Sequence, residues 1–549
     1  MPTLEWIGKD KVINHHQDVA YRVLERQYSY SAEGQTEADN GSGNMIIHGD
    51  NLVALKALLP QYEGKIKCIY IDPPYNTGNE KWVYNDNVND SKIKKWLGDV
   101  VGREGEDLSR HDKWLCMMYP RLKLLQKLLA ENGAIFISID SNEKFNLKLL
   151  CDEIFGVNNF IADITVVNNL KGRSDDKYIA TAHENLLIYQ KEQYITNGVP
   201  VPEEYVTEYK LSDEHGRYRL QGLRKRGAGS KRNDRPNMFY PFYYNEINHS
   251  ISVTKTSGDD IEILPKLSDG TDGRWRWGKE TAVSRVAELT VQLVSGRNEY
   301  DVFQKDYLPA DGSKRIKPKS VWMGSEFSAE AGTLQTKAIL GKGVFETPKS
   351  TGVIEYCLEQ ASDAGSVILD SFAGSGTTAH AVLNLNKQDG GNRKFILVET
   401  EDYAETITAE RVKRVIRGYG EGNSSVEGTG GSFSFYELGD VLLLSDGNLN
   451  ESVGVDRIRS YVYFMETKQT IGEKSPDENE YFLGAHNQTA YYFYYEPETV
   501  TTLDDLFLAT IRTRADGYLI YADQLALSAD DLRKYNIVFK KIPRDISRL

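Results

Sequence analysis

The chain has 549 residues, 40% of them hydrophobic and 27% charged, with a formal net charge of 66 − 80 = −14. At roughly 150 residues per domain this length predicts three or four units of ordinary globular composition. No stretch approaches the ~20 apolar residues of a membrane span, the N-terminus MPTLEWIGKDKVINHH lacks the apolar core of a secretory signal, and four scattered cysteines (Cys68, Cys116, Cys151, Cys357) form no CxxC pair. The expectation is a cytoplasmic protein with reduced thiols, no metal site and no membrane segment.

In chain order, residues 1–43 are polar and end in the turn-rich EGQTEADNGSGN. MIIHGD reads as a short strand, and NLVALKALLPQY as a helix with apolar residues at three- and four-residue spacing. CIYI (68–71) suits a buried parallel strand. It stops at Asp72, because neither Pro73 nor Pro74 can donate to a ladder. The polar run NTGNEKWVYNDNVNDSK (76–92) reads as a mobile loop. HDKWLCMMYPRLKLLQKLLAENG is helical with Gly133 as its stop, AIFISID is a buried strand, and KFNLKLLCDEIFG is a further helix. FIADITVVNN and HENLLIYQ close this half, whose alternation predicts an α/β fold with a mainly parallel sheet.

Between about 195 and 335 the alternation stops, and a Tyr-, Arg-, Gly- and Pro-rich section reads as an inserted domain. Its run GRWRWGKE is read evenly as core packing or as part of a recognition surface. The α/β pattern resumes with GVIEYCLEQAS, SVILD, GSGTTAHAVLNLN and RKFILVE, ending in the amphipathic helix YAETITAERVKRVIRGYG. The expected segments are 1–43, 44–195, the insert 196–334, 335–420, a linker 421–434, and a small α+β domain 435–549.

Three features bear on chemistry. First, DPPY places a carboxylate at a strand tip, stiffens the backbone behind it and follows with an aromatic ring. That is either a plain strand end or a rigid pocket in which Asp72, a main-chain carbonyl and Tyr75 face one flat, amine-bearing substrate. Second, ILDSFAGSGTT ends a strand at Asp370, turns through Gly374 and Gly376, and opens a helix whose free N–H groups suit an anion. It is neither GxxxxGK[ST] nor a full GxGxxG. Glu399, ending the next strand, is either a surface carboxylate or a ribose-binding acid. Third, residues 217–235 (RYRLQGLRKRGAGSKRNDR) hold eight bases against Asp234. The island is either a solvated loop or the local basic surface that a nucleic-acid partner requires.

DPPY and FAGSG together resemble the S-adenosylmethionine-dependent amino-methyltransferases of DNA. DPPY stands ahead of FAGSG with the insert between them, which is the circularly permuted order of the beta group. NMIIHGDNLVALKALL, RHDKWLCMMYPRLKLLQKLL, GAIFISID, RPNMFYPF, DGRWRWGK, FETPKS and GGNRKFILVE are similar to the modification subunit of type III restriction–modification systems, as are LEWIGKDKVINHH and FKKIPRDI. The likeness spans nearly the whole chain, less so in the insert and in 440–510. Ser371 departs from the family's usual DFF strand end.

The resemblance implies a Rossmann-like methyltransferase sheet carrying an inserted target-recognition domain. It implies methyl transfer to adenine N6 after the base is rotated out of double-stranded DNA. Asp72 and the Pro73 carbonyl would accept the two N–H bonds of the amine, with Pro73 and Pro74 fixing the geometry and Tyr75 stacking on the base. Asp72 in place of Ser favours adenine N6 over cytosine N4. Phe372, Gly374, Gly376 and Thr377 would line the methionine part of the cofactor, with Thr347 and Lys349 bordering it, and Asp370 would be a further cofactor-binding residue. Glu399 would bind the ribose and Asp50 would lie near the cofactor's adenine. Asp50 and Lys349 read equally as a helix N-cap and a solvated charge. Arg224, Lys225, Arg226, Lys231 and Arg232 become candidates for phosphate contacts. Implied partners are a second copy of the chain and a separate restriction helicase–nuclease. The alternatives are a recognition and docking subunit, a solitary methyltransferase, or methylation of cytosine N4 or RNA.

Overall fold

The computed structural model describes residues 3–77, 107–172, 177–311, 313–469, 471–472 and 478–544. From residue 78 on, the loop expected over 76–92 lies outside them. The chain divides into two compact units, Met1–Asn197 with Pro318–Leu549, and Gly198–Lys317.

The first unit is built on one eleven-stranded sheet. Its strands are β1 (Arg22–Ser31), β2 (Gly34–Thr36), β3 (Met45–His48), β4 (Ile66–Ile71), β5 (Leu129–Ile139), β6 (Phe160–Val167), β7 (Glu184–Gln190), β8 (Val321–Met323), β9 (Val367–Asp370), β10 (Lys394–Glu399) and β11 (Ser432–Val441). They lie in the order β8-β6-β7-β5-β4-β9-β10-β3-β11-β1-β2. From β5 to β11 every neighbour is parallel, whereas β7 and β1 run antiparallel to the strands beside them.

The central strands are short apolar runs because helices cover both faces. Side chains alternate across a strand, so Ile47, Ile69, Ile71, Ile135 and Ile137 pack with helices Asn51–Tyr62, Asp107–Leu128 and Lys144–Phe155. Ile46, Cys68, Tyr70, Ala134 and Phe136 enter a second core with helices Thr351–Ala361, Thr377–Asp389 and Glu410–Arg417. The α/β class expected from the sequence is observed. All four cysteines are buried and free, and among the described residues no helix is long and apolar enough to cross a membrane.

Several boundaries differ from those expected. The helix before β5 ends at Leu128, not at Gly133, which lies within β5. A Cβ at Gly133 would stand 2.9 Å from the Lys67 carbonyl, so this position admits only a bare backbone. Within the polar N-terminal stretch, β1 pairs over its length with β11, and β11 begins inside the expected linker. In the same linker Val426–Glu427 pairs with Gly418–Tyr419. The inserted unit spans 198–317, not 196–334, since β8 joins the main sheet beside β6.

Beyond β11, the helix Val455–Thr467 and a four-stranded sheet (Phe482–His486, Thr489–Phe493, Gly517–Ala522, Ile537–Lys541) give the expected α+β character. There Arg544, buried against Asp523, donates to both carboxylate oxygens at 2.7 and 2.5 Å.

Gly198–Lys317 carries a four-stranded antiparallel sheet (Leu211–Asp213, Gly216–Gly222, Glu299–Leu308, Leu289–Val294) and a three-stranded one around Phe242–Tyr244. Trp275 and Trp277 belong to its buried core, with the Trp275 indole donating to the Tyr240 carbonyl at 2.7 Å. Packing is therefore the role of GRWRWGKE at its two tryptophans.

Candidate active site

β4 and β9 are parallel neighbours with Ile368 opposite Cys68 and Leu369 opposite Ile69. This register brings DPPY and FAGSG out side by side at the carboxyl edge of the sheet, where open α/β sheets hold their ligands. A cavity of about 680 Å³ opens there, lined from both turns and from Phe345–Ser350. Such a volume suits a small organic ligand.

At one side the Asp72 carboxylate has a buried Oδ1 without a hydrogen-bond partner, 3.4 Å from Lys349 Nζ. Burial pushes the acid up to about 6; Lys349 opposes the shift and Glu184 adds to it. The Trp114 indole donates to the Pro74 carbonyl at 2.7 Å. No donor among the described residues reaches the Pro73 carbonyl, so it remains an open acceptor beside an Asp72 carboxylate that Lys349 flanks. Tyr75 is held by its hydroxyl, which donates to Glu184 Oε2 at 3.0 Å and accepts from Lys349 at 2.5 Å. The Lys349 ammonium also lies 4.9 Å from the centre of the Tyr75 ring. Although burial alone would lower its pKa, the Asp72 and Glu184 carboxylates together raise it.

The second turn is pinned by buried acids. Asp370 Oδ1 accepts from the Phe372 amide at 3.0 Å and Oδ2 from the Thr378 hydroxyl at 2.5 Å, and burial pushes Asp370 up to about 7. Glu399 accepts from the amides of Gly374 at 2.6 Å and Glu401 at 3.0 Å, and burial pushes it, too, up to about 7. Gly374 and Gly376 have φ of 51° and 80°, left-handed conformations that favour glycine.

Asp72, Pro73, Pro74, Tyr75, Thr347, Lys349, Asp370, Phe372, Gly374 and Thr377 all line the one cavity. Gly376 stands one residue away as N-cap of the helix Thr377–Asp389. Fully buried, Glu399 is no surface carboxylate; it sits behind the cavity wall, tied to the glycine turn. Asp50 caps the helix Asn51–Tyr62, accepting from Leu52 N and Val53 N at 2.9 and 3.1 Å, and does not line the cavity. Lys349 is buried in the site and is not a solvated charge. Sequence reasoning missed Glu184, whose side chain is only 7% exposed and lies 2.6 Å from Lys349.

In Gly198–Lys317 the basic island divides. Arg224 is tied to the Lys266 carbonyl and lies 3.8 Å from Asp301, and Arg232 pairs with Asp272 at 2.9 Å. Arg226 and Lys231 are exposed and Lys225 half-buried, without an ion pair among the described residues.

A family described as DNA methylase matches residues 66–410. The Type III restriction-modification enzyme EcoPI Mod subunit of Escherichia phage P1 is 36% identical over 67% of this chain and 59% of its own. The StyLTI Mod subunit of Salmonella typhimurium is 32% identical over 72% of this chain and 57% of its own. The Type II methyltransferase M.KpnI of Klebsiella pneumoniae is 40% identical over 66% of this chain and 81% of its own. The chain thus spans rather more than half the length of the two type III subunits.

Proposed function

The chain belongs to the DNA methylase family, and from that premise we propose that it transfers a methyl group from S-adenosylmethionine to adenine N6 at a short site in duplex DNA. We further propose that it does so in the cytoplasm as the modification subunit of a type III restriction–modification system, pairing with a second copy and with a restriction subunit. The observation that carries the reading is the meeting of two turns at one cavity. DPPY brings a carboxylate and a main-chain carbonyl there, and FAGSG offers a glycine turn with a helix start. Similarity to two type III modification subunits supports the assignment to that system.

The cofactor fits the residues present. The cavity is large enough, the glycine turn has positive φ at both glycines, and the hydroxyls of Ser375 and Thr377 line it. When bound, the cofactor supplies an electrophilic methyl group on a sulfonium. The chain's residues prepare the nucleophile. An exocyclic amine of adenine is a poor nucleophile because its lone pair is delocalised into the ring. The Asp72 carboxylate and the Pro73 carbonyl, accepting one N–H each, draw the nitrogen towards a pyramidal form with its lone pair available. Both prolines hold these acceptors in place before the base arrives. The Tyr75 ring, anchored through Glu184 and Lys349, presents its face to a flat base rotated out of the duplex. The proton shed by the methylated nitrogen passes to Asp72, which is ionised above its pKa of about 6.

Single-molecule sequencing of DNA from cells expressing the chain, beside an Asp72→Ala control, tests the reading. N6-methyladenine in one short motif, present only with the intact chain, is the expected result. A mark on cytosine N4 would overturn the assignment of Asp72. Unmodified DNA in both samples would favour a recognition and docking subunit.

A further inference from the structure

Beneath the glycine turn lies a charge that the mechanism above does not use. Arg411, on the helix Glu410–Arg417, is fully buried. Among the described residues it forms no ion pair, and its hydrogen-bond partners are all neutral. Nη1 donates to Ser375 Oγ and to Thr377 Oγ1, each at 2.8 Å. Nη2 donates to Gln335 Oε1 at 3.1 Å and faces His380 Nδ1 at 3.3 Å. His380 does not compete for the charge, since burial and the neighbouring guanidinium hold its pKa down to about 3. Among the described residues Nε has no partner.

A desolvated guanidinium without a counter-charge is costly to hold. The direction of its hydrogen bonds says where the charge is felt. Ser375 Oγ and Thr377 Oγ1 accept from Arg411; the Thr377 hydroxyl donates in turn to the Lys349 carbonyl over a long 3.3 Å, and the Ser375 hydroxyl, 3.1 Å from Thr377 Oγ1, can turn its proton to that oxygen or to a ligand. Both residues line the cavity, at the first turn of the helix Thr377–Asp389, whose N-cap Gly376 supplies no side-chain cap. Polarised hydroxyl donors, the amides of a helix start and a buried positive charge behind them all favour an anion at this end of the cavity. At Asp72 and Glu184 the cavity carries two carboxylates against the single ammonium of Lys349, which already pairs with both, so that part offers an anion less.

We infer that Arg411 is a positioning residue that selects and orients the amino-acid carboxylate of the cofactor, acting through the Ser375 and Thr377 hydroxyls. This rests on the reading of the cavity as an S-adenosylmethionine site. It gives the cofactor a direction, with the carboxylate towards Ser375 and Thr377 and the cationic sulfonium away from the guanidinium.

The test is calorimetric titration of the full chain with S-adenosylmethionine and with decarboxylated S-adenosylmethionine, which lacks only the carboxylate. Arg411→Met should weaken binding of the intact cofactor roughly 10- to 100-fold, the size of a lost charge-assisted contact. Its affinity for the decarboxylated ligand should stay that of the wild type, and Arg411→Lys should recover part of the loss. Should Arg411→Met fail to fold, as judged by circular dichroism, Ser375→Ala carries the same expectation. Equal losses for both ligands would mean that Arg411 only supports the turn, and no loss for either would mean that its charge is not felt; each result overturns the inference. A wild-type chain that binds neither ligand would instead overturn the cofactor reading beneath it.

Discussion

Lys349 Nζ lies 2.6 Å from Glu184 Oε2, closer than the 3.4 Å that separates it from Asp72 Oδ1. Glu184 thereby holds the ammonium partly away from the DPPY carboxylate while anchoring the Tyr75 hydroxyl. Glu184→Gln should let Lys349 pair with Asp72 alone, blocking the acceptor that the amine needs. A fall in kcat of roughly 10- to 100-fold is expected. Loss of the Glu184 charge also removes a contribution that raises Asp72, so the acid limb of the pH profile should move to lower pH. An acid limb that stays in place would show that Glu184 serves only to fill space.

Asp72 itself sets the acid limb. Its pKa is raised to about 6, so the carboxylate is ionised and able to accept above that pH and is lost as an acceptor below it. The rate should therefore fall below about pH 6 in kcat/KM, which reports the free enzyme. Removing the carboxylate by Asp72→Ala should cost about 10²–10³ in kcat, comparable to loss of a preorganised hydrogen-bonding group. Cofactor affinity, measured by titration, should stay close to wild type, because the carboxylate's contribution belongs to the transition state. A comparable loss in cofactor affinity would instead place Asp72 in ground-state binding.

What could be read from the sequence follows from how local each signal is. CIYIDPPY and ILDSFAGSG are contiguous, and each carries its strand, its stop and its chemistry within a dozen residues, so the cavity's two turns were legible. Glu184 was not. It opens an apolar strand, HENLLIYQ, and its partners Tyr75 and Lys349 lie 109 and 165 positions away. Arg411 looked like one more base on an amphipathic helix, because nothing local shows that its face of the helix turns inward. Strand β1 was hidden by its polarity: four of its ten residues are buried, and its main partner, β11, comes some 400 residues later. For Asp50, a carboxylate at a strand end, the sequence left a helix N-cap and a place near the cofactor equally open, and the structure shows the cap.

In Gly198–Lys317 the basic side chains should separate by experiment into two kinds. Arg226 and Lys231 are exposed and without ion pairs, so Arg226→Ala with Lys231→Ala should weaken binding across all sequences. The salt slope should fall by about 2, with thermal stability unchanged. Arg224 is half-buried against Asp301 and the Lys266 carbonyl, so Arg224→Ala should destabilise the unit. Trp275→Ala should cost about 3–5 kcal/mol by emptying the unit's core. Filter binding across a salt series, beside a thermal melt of each variant, distinguishes the classes. An unchanged salt slope in the double variant would place the phosphate contacts elsewhere.

The glycine turn makes the sharpest demand on backbone. Gly376 has φ of 80°, and a Cβ there would stand 3.0 Å from the Thr408 carbonyl. Thr408 cannot yield freely, because its hydroxyl donates to the Gly374 carbonyl at 2.6 Å. Any shift is passed to the other glycine of the same turn. Gly376→Ala should therefore cost about 1–2 kcal/mol in left-handed strain and also move the cavity wall, weakening cofactor binding at least about tenfold. Gly390, which ends the same helix, is the control. Its φ is 70°, and a Cβ there meets nothing within 4 Å. Gly390→Ala should bear a similar strain in a thermal melt while leaving cofactor affinity at the wild-type value. If the two variants lose affinity alike, the effect is one of general stability, and the turn at Gly376 has no special part in holding the ligand.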